Sequence, residues 1–368
     1  MKTRSRTILF RIGGLGDLLV ALPAISLVRR SLPGFSLSLA GRPEYGALLK
    51  RAGLVDEVLS FADARMAALF AGGSPDFRAD AKGGTGKRGV SPLDGFETAM
   101  GWLNRRGDWP ADEWWVRQGI EQIFFISYES GAAVPMSRFF FDRTRDFLNA
   151  YGIRARVAGI ASSAGAVEAS AASRDSAAGA TDTSAFDPAA PDPDQLFGDC
   201  ARLPLPGGLR SKSLDDLGLR QLVKNEKRLV VHPGSGGRAK RWPLASFIEV
   251  IRVAASFGLE GVLVTGEAEA DLEPALQASA LPAGWKRVSR LPAETLADLL
   301  AGSTHYLGND SGPTHLAAAC GASVLALFRE DSLPAWRPFG KARVVAAPLM
   351  SDIPLDLVLP ALEDLLSE

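Results

Sequence analysis

Short apolar runs alternate with longer stretches of helical periodicity along the first part of the chain. Residues 7–12 are apolar and partly β-branched, a glycine-rich turn follows, and an apolar-periodic segment then extends to Leu32. This pattern predicts a strand, a glycine turn and a helix. By the same criteria we predict strands over residues 35–40, 57–61 and 122–127, and helices over residues 44–52 and 137–151.

The same alternation returns after residue 228. Strands are predicted over residues 229–232, 261–265, 305–307 and 323–328, and helices over residues 294–301, 314–320 and 355–366, with further helices that begin at Pro243 and Glu267. Strands that alternate with helices are typical of parallel sheets covered by helices. A chain of 368 residues with 46% hydrophobic side chains is long enough for two such lobes, each with its own core.

Two segments interrupt this alternation. Residues 72–118 are rich in glycine, tryptophan and charged residues, and we expect an irregular insertion there. Residues 158–196 are mostly Ala, Ser, Asp and Pro, with too few large apolar side chains to offset the entropy of ordering, and we expect a disordered insertion. The predicted N-terminal lobe therefore covers residues 1–157, and the predicted C-terminal lobe covers residues 197–368.

Composition and charge argue against several classes of protein. The 41 basic and 42 acidic side chains leave a net charge of -1, so no overall field favours nucleic acid. The two cysteines form no CxxC pair and no cluster with metal-ligand spacing, so we expect neither a disulfide framework nor a metal site and favour a cytoplasmic protein. The most apolar stretch, residues 18–28, contains Pro23 and is about half as long as a membrane span.

The first candidate for chemistry is the sequence RIGGLGD at residues 11–17. Glycines such as Gly14 and Gly16 in a strand-to-helix turn allow a ligand to approach the backbone closely, and Asp17 places a carboxylate at the start of the helix. Asp17 also has a simpler interpretation as a helix cap, which the sequence leaves open. The dinucleotide fingerprint GxGxxG is not met, because Leu19 occupies the position of its third glycine, and this argues against an NADP-linked oxidoreductase.

Two further motifs lie in the second half of the chain. HPGSGGRAKRWP at residues 232–243 offers backbone amides and the positive charges of Arg238 and Lys240 to a phosphate, although a flexible loop with solvated basic residues would look the same. GNDSGPTHLAAACG at residues 308–321 predicts a helix whose first amides bind a pyrophosphate. The alternative for this motif is a well-capped core helix in which His315 is a satisfied polar group.

Two other similarities to known motifs fail. Residues 82–88 lack the first glycine and the final serine or threonine of a P-loop, because Ala81 and Arg88 occupy those positions. The serines of the two glycine turns in the second half lack the first glycine of a GxSxG nucleophile elbow. ATP hydrolysis and serine-hydrolase chemistry are therefore unsupported.

The three motifs together, in this order, resemble glycosyltransferase family 9, whose best-known members are ADP-heptose transferases of lipopolysaccharide synthesis. The resemblance spans most of residues 7–60 and 228–330. The segments that carry it are RIGGLGDLLVALPAISLVRRSLPG, HPGSGGRAKRWPLASF, VTGEAEAD and GNDSGPTHLAAACGASVLALF. The resemblance implies an α/β protein with the GT-B fold, in which two Rossmann-like lobes carry parallel sheets that face a central cleft.

The resemblance also implies roles for individual residues. Asp17 would be the general base, which takes the proton from the acceptor hydroxyl in a single inverting displacement. Lys240 would bind the donor diphosphate and, with the helix amides, stabilise the leaving group in place of a metal ion, and no cofactor is expected. The other substrate-binding residues are expected to be Gly14, Gly16, Ser235, Gly236, Arg238, Asp310, Ser311, Gly312 and His315.

The substrates are predicted less closely than the reaction. The acidic contact to the ribose is expected just after Gly266, where Glu267, Glu269 and Asp271 are all candidates and Glu269 is our choice. We expect a heptose to be transferred from ADP-heptose to a lipopolysaccharide core acceptor, by a monomer in peripheral contact with the inner face of the bacterial inner membrane. The alternatives are another sugar nucleotide, a protein acceptor, or a catalytically idle nucleotide-sugar-binding protein.

Overall fold

The computed structural model describes residues 5–60, 63, 66, 93–103, 115–116, 118–128, 134–150, 192–205, 212–219 and 228–367. The strands described in the first lobe are β1 (Arg6–Phe10), β2 (Ser36–Gly41), β3 (Glu57–Ser60), β4 (Thr98–Leu103) and β5 (Gln122–Ser127). They form a parallel sheet in the order β3-β2-β1-β4-β5. Strands β1 and β2 are almost entirely buried, because helices cover both faces of the sheet.

The helices described in the first lobe are α1 (Leu15–Val20), α2 (Leu22–Ser31), α3 (Pro43–Arg51), α4 (Met136–Ala150) and α5 (Pro193–Ala201). Helix α2 carries a proline in its first turn, where no intrahelical N–H is needed, and every residue over 22–28 is buried. Helix α5 packs against α2 and α4. Arg138 of α4 lies 2.5 Å from Asp194 of α5 and also lies over the ring of Phe197.

The second lobe repeats this architecture. Its described strands are β6 (Arg228–His232), β7 (Glu260–Thr265), β8 (Trp285–Ser289), β9 (His305–Asn309), β10 (Ser323–Arg329) and β11 (Ala342–Ala347), and they form a parallel sheet in the order β11-β10-β9-β6-β7-β8. Its helices are α6 (Lys212–Asp216), α7 (Leu244–Ser256), α8 (Glu273–Ala278), α9 (Ala293–Ala301), α10 (Gly312–Ala319), α11 (Leu333–Trp336) and α12 (Leu355–Leu366). Short 3-10 turns span Arg238–Lys240, Glu267–Leu272 and Met350–Asp352. The predicted architecture of two α/β lobes is confirmed.

Both sheets reverse their strand order at a central strand, and this places the three sequence motifs. Strand β1 lies between β2 and β4, and strand β6 lies between β7 and β9. In open parallel sheets, ligands bind at the carboxyl ends of the strands where the order reverses. The first motif follows β1, the second follows β6 and the third follows β9, so all three emerge at such a point.

Among the described residues, three pairs of helices join the lobes, and one of them is α4 with α11. Helix α1 packs against α10, and Gly16 lies close to Gly312 at this contact. Helix α3 packs against α9, where Arg51 forms an ion pair with the buried carboxylate of Asp298. The largest apolar cluster includes residues of both lobes, so their relative position is fixed by packing as well as by these contacts.

The prediction of an irregular insertion over residues 72–118 is wrong for residues 98–103. These residues form strand β4, which pairs with β1 on one side and β5 on the other. Met100 and Trp102 are fully buried, and the indole N–H of Trp102 donates a hydrogen bond of 2.9 Å to Thr144. A strand that is buried on both faces shows no alternation of polar and apolar residues, so periodicity did not reveal it. Residues 72–92, 104–114 and 117 lie outside the described residues.

The end of the predicted disordered insertion also differs from the structure. Helix α5 begins at Pro193, within the predicted segment 158–196, because Asp192 accepts a hydrogen bond from the backbone N–H of Asp194 and caps the helix. After helix α5, the backbone N–H of Leu203 donates a hydrogen bond of 2.9 Å to the carbonyl of Ala319 in the second lobe. The lobe boundary therefore lies a few residues after the predicted one, and residues 158–191 lie outside the described residues.

Candidate functional site

A cleft of about 740 Å³ lies between the lobes, at the carboxyl ends of both sheets. The first lobe contributes the start of helix α1 and Tyr45 of α3. The second lobe contributes the loops that follow β6, β7, β8 and β9. The predicted site residues that line the cleft are Gly14, Gly16, Asp17, Ser235, Gly236, Lys240, Glu269, Asp310, Ser311, Gly312 and His315.

Asp17 is held from two sides at the start of helix α1. Its Oδ2 atom accepts a hydrogen bond of 2.8 Å from the backbone N–H of Gly14, and its Oδ1 atom lies 3.5 Å from the guanidinium of Arg11. The Asp17 side chain is 22% exposed, so its carboxylate remains accessible from the cleft. Asp17 is thus a helix cap, as the simpler interpretation proposed, and also a carboxylate at the mouth of the cleft.

Arg11 is buried beneath this carboxylate. Its Nε atom donates to the backbone carbonyl of Asp17 and its Nη1 atom donates to the carbonyl of Trp102, each at 2.6 Å. Burial lowers the pKa of Arg11 to about 10, while the nearby charge of Asp17 opposes this change. The guanidinium therefore keeps its positive charge at neutral pH.

The loop that follows β6 is attached to the loop that follows β9. The Ser235 hydroxyl donates a hydrogen bond of 2.7 Å to the backbone carbonyl of Asp310. The Asn309 side-chain amide donates to the carbonyl of Pro233 at 2.8 Å, and its oxygen accepts from the N–H of Trp242 at 3.0 Å. These buried hydrogen bonds give the second and third motifs one fixed arrangement.

Lys240 and Asp310 form an ion pair at the edge of the cleft. The Nζ atom of Lys240 lies 2.7 Å from Oδ2 of Asp310, and the lysine side chain is 37% exposed whereas the aspartate is 4% exposed. The ammonium also lies 5.7 Å from the ring centroid of Trp336. Two neighbours thus hold the ammonium beside the first turn of α10, where a helix offers its free amides to an anion.

His315 lies in the first turns of α10 and lines the cleft, with 1% of its surface exposed. Neither ring nitrogen has a hydrogen-bond partner among the described residues. Burial lowers the pKa of His315 to about 4; the charge of Lys240 adds to this effect, and the charges of Asp310 and Asp17 oppose it. The imidazole is therefore neutral at pH 7, with one donor and one acceptor nitrogen for a ligand.

Glu269 is buried below the glycine-rich loop. Its Oε2 atom accepts a hydrogen bond of 2.7 Å from the N–H of Gly266 and lies 3.6 Å from Nε2 of His232. Burial opposes the charged form, but the contacts with His232, Gly266 and Arg241 outweigh it and lower the pKa of Glu269. A Cβ at Gly234 would lie 2.0 Å from Oε1 of Glu269, so this carboxylate fits against a bare backbone.

The other two acids after Gly266 differ in exposure and in partners. Asp271 bonds to Arg241 at 2.9 Å and lies 3.2 Å from Arg238, whereas Glu267 is exposed and lines the cleft. The side chain of Arg238 is 80% exposed and is directed to Asp271, and Arg238 is not part of the cleft lining described above.

The sequence did not identify four residues that shape the cleft. Arg11 follows a buried strand directly, which was a usable signal, and Asn309 precedes the acidic turn. Trp336 and Arg290 line the cleft, and neither belongs to a motif. Arg290 adopts a φ of 55°, and among the described residues it is the one non-glycine residue with a positive φ. Its N–H donates a hydrogen bond of 2.8 Å to the carbonyl of Thr265, which holds the turn after β8 in this conformation.

The chain resembles known proteins in sequence and in fold. Residues 201–349 match the family model described as glycosyltransferase family 9 (heptosyltransferase). The fold matches the structure of E. coli ADP-heptose lps heptosyltransferase II, with 16% identity, a TM-score of 0.63 and coverage of 98% of both chains. It also matches a glycosyl transferase family 9 protein from Veillonella parvula, with 13% identity, a TM-score of 0.63 and coverage of 100% of this chain and 99% of that one.

A third similar structure is the E. coli heptosyltransferase WaaC with ADP, with 14% identity, a TM-score of 0.55 and coverage of 98% of this chain and 99% of that one. A search among curated proteins found no match. In the described part of the chain, no helix is both long and apolar enough to cross a bilayer. The predicted resemblance and the predicted GT-B fold are confirmed.

Proposed function

Residues 201–349 match the model of glycosyltransferase family 9, and from this match we propose that the chain is a glycosyltransferase, which transfers a heptose from ADP-heptose to a lipopolysaccharide core acceptor. The transfer inverts the anomeric carbon and uses no metal ion. Asp17 is the general base, and Lys240 with the start of helix α10 binds the donor diphosphate.

One observation carries this proposal. The cleft joins Asp17, the accessible carboxylate of the first lobe, to Lys240 and His315 of the second lobe. A base that faces a cationic, amide-rich anion site from the opposite lobe is the arrangement that a direct displacement requires. If the base and the anion site lay on the same loop, they could not face the donor sugar from opposite sides.

The reaction follows from these positions. Asp17 removes the proton of an acceptor hydroxyl while its oxygen forms a bond to the anomeric carbon of the donor sugar. The bond between that carbon and the diphosphate oxygen breaks on the opposite face, and ADP leaves with the electron pair. Lys240 and the first amides of α10 then stabilise the negative charge that develops on the diphosphate.

Donor binding requires the Lys240 ammonium to contact the phosphate as well as Asp310. Because Lys240 is partly exposed and Asp310 is buried, the lysine is the partner that can reorient towards a ligand. The neutral His315 can donate a hydrogen bond to a phosphate or sugar oxygen without adding charge. For the ribose, the exposed Glu267 is better available than Glu269, whose carboxylate already bonds to Gly266.

The nucleobase fits the apolar part of the cleft, which lies at the carboxyl ends of β7 and β8. Its lining residues are Val264, Leu291, Pro292, Ala293 and Leu296. The choice of ADP-heptose rests on the structures that are similar to this chain, since one is described as an ADP-heptose lps heptosyltransferase and another contains ADP. With a lipid-linked acceptor, the protein would act at the inner face of the inner membrane.

The decisive experiment is a calorimetric titration of the purified protein with ADP, GDP and UDP in the presence of EDTA. We expect selective binding of ADP without metal, followed by sugar transfer from ADP-heptose to a core acceptor. Selective binding of GDP or UDP would contradict ADP-heptose as the donor but would still support a glycosyltransferase. Binding of no nucleotide would contradict the proposed function.

A further inference from the structure

We propose that Arg11 is a positioning residue, which holds the carboxylate of Asp17 in the orientation that it needs as a base. This inference rests on the proposed function, because it assigns Asp17 the role of the base. The glycine turn at residues 13–16 and the helix cap formed by Asp17 could both form without an arginine at position 11.

Two of the contacts of Arg11 are made with Asp17. Two atoms of its guanidinium are directed to Asp17, one to the backbone carbonyl at 2.6 Å and one to Oδ1 at 3.5 Å. A third donates to the carbonyl of Trp102 in the neighbouring strand β4. The two central strands of the sheet therefore anchor the guanidinium, and the guanidinium in turn restrains the first turn of α1.

The other oxygen of the carboxylate is restrained by the backbone. Oδ2 accepts the N–H of Gly14 at 2.8 Å, so the two oxygens have different partners and the carboxylate plane is fixed. Gly13 leaves the necessary space, because a Cβ at this position would lie 2.5 Å from Oδ2, and its φ of 132° disfavours other residues. A carboxylate that is fixed in this way keeps its remaining lone pairs directed at the cleft.

The burial of Arg11 shows that this contact is costly to maintain. Only 1% of the Arg11 side chain is exposed, and its charge lies 5.4 Å from the ring centroid of Phe140. Transfer of a guanidinium from water to such a site is unfavourable unless its hydrogen bonds are satisfied. An apolar side chain would be less costly to bury at this position, and we therefore explain the arginine by its role in holding the Asp17 carboxylate in place.

Arg29 provides a matched control in the same lobe. It donates to two backbone carbonyls, those of Leu54 and Phe35, and to the carboxylate of Asp56, and its side chain is 18% exposed. Its contacts are thus of the same kind as those of Arg11, but Arg29 is not among the residues that line the cleft. Substitution of Arg29 therefore measures how a purely structural arginine affects stability and kcat.

The experiment compares Arg11→Met, Arg11→Lys and Arg29→Met in full-length protein. We expect Arg11→Met to lower kcat about a hundredfold, the effect of a misplaced catalytic group, with the KM for donor and the affinity for ADP within about twofold of the parent. Arg11→Lys should recover part of the loss, because it retains the charge. Arg29→Met should lower thermal stability as much as Arg11→Met, with kcat nearly unchanged.

A second comparison tests whether Arg11 acts through Asp17. In an Asp17→Asn background, the Arg11→Met substitution should lower the residual rate no further. An equal loss in both backgrounds, or equal kcat values for Arg11→Met and Arg29→Met, would overturn the inference. A parent protein that binds ADP but transfers sugar from no donor would contradict the proposed function instead, so the two failures are distinguishable.

Discussion

Gly16 and Gly312 face each other across the contact between the lobes. A Cβ at Gly312 would lie 2.9 Å from Cβ of Leu15 and 3.0 Å from the backbone nitrogen of Gly16, whereas a Cβ at Gly16 would lie no closer than 3.5 Å to its neighbours in α10. The helix that carries Asp17 and the helix of the anion site therefore touch through their backbones. Their separation depends on the absence of one side chain.

This asymmetry predicts different results for two alanine substitutions. Gly312→Ala should force the helices apart, destabilise the protein by about 1–3 kcal/mol and lower kcat by about tenfold or more. Gly16→Ala should change stability by less than about 1 kcal/mol, because the space is sufficient and alanine favours a helix. Urea unfolding and steady-state kinetics of both variants test this, and equal effects would contradict the described contact.

Asp17→Asn should remove the base and preserve the turn. The asparagine oxygen can still accept the N–H of Gly14, so we expect an unchanged ADP affinity, with a lower melting temperature because the charge beside the buried Arg11 is lost. Turnover should fall by about 10²- to 10⁴-fold, which is the usual contribution of a general base. Rates measured with saturating donor and acceptor check this prediction, and turnover equal to that of the parent protein would exclude Asp17 as the base.

Lys240 and Arg238 lie two residues apart and should respond differently to alanine. Lys240→Ala removes a charged hydrogen bond to the diphosphate, and ADP affinity should fall by about 10- to 100-fold. Arg238→Ala removes a side chain that is 80% exposed and directed to Asp271, so ADP affinity should change little. Calorimetric titration of both variants is the measurement. Equal losses would indicate that Arg238 reaches the donor, as the sequence predicted.

The ion pair between Arg51 and Asp298 should stabilise the contact between the lobes. The Asp298 side chain is 4% exposed and that of Arg51 is 28% exposed, so removal of the arginine leaves a buried carboxylate without this partner. We expect Arg51→Met to destabilise the protein by about 1–3 kcal/mol, less than for a fully buried pair. Adding Asp298→Asn should restore part of that loss in urea unfolding. An additive double variant would argue against coupling.

The lowered pKa of His315 should make the stability of the protein depend on pH. Its pKa is lowered to about 4 from an ordinary value of 6.5, so the unfolded chain binds more protons than the folded protein between these values. The free energy of unfolding should therefore fall as pH decreases below about 6.5, by about 2 kcal/mol at pH 5. His315→Leu should flatten this part of the profile, and the same slope in both proteins would refute the assignment.

The sequence predicted most strands and helices because their patterns are local. Residues 355–366 form helix α12 as predicted, and the strand and helix ends elsewhere differ by a few residues. Helix α10 begins at Gly312 and not at residue 314, because Ser311 is its N-cap and Pro313 belongs to the first turn. Strand β4 was missed since its identity depends on burial between two other strands, which no local pattern records.

The sequence predicted those residues of the candidate site that belong to motifs, but not those that packing brings to the cleft. Asp17 and Lys240 stand in motifs whose glycine spacing is visible in the sequence, and both line the cleft. The proximity of Arg290 and Trp336 to that cleft depends on the packing of the second lobe, so single-residue patterns gave no signal. Glu269 was an ambiguous choice because three acids lie close together, and their burial distinguishes them only in the folded protein.

Helices α4 and α5 have a consequence for how the chain tolerates changes in length. The ion pair between Arg138 and Asp194 places the start of α5 beside the start of α4. The 15 residues of α4 span about 22 Å, a distance that about seven extended residues can cover, yet residues 151–192 lie between the two helices. Both ends of this segment are attached to one lobe. Insertions and deletions there can accumulate during evolution without altering the distance between the base and the donor site.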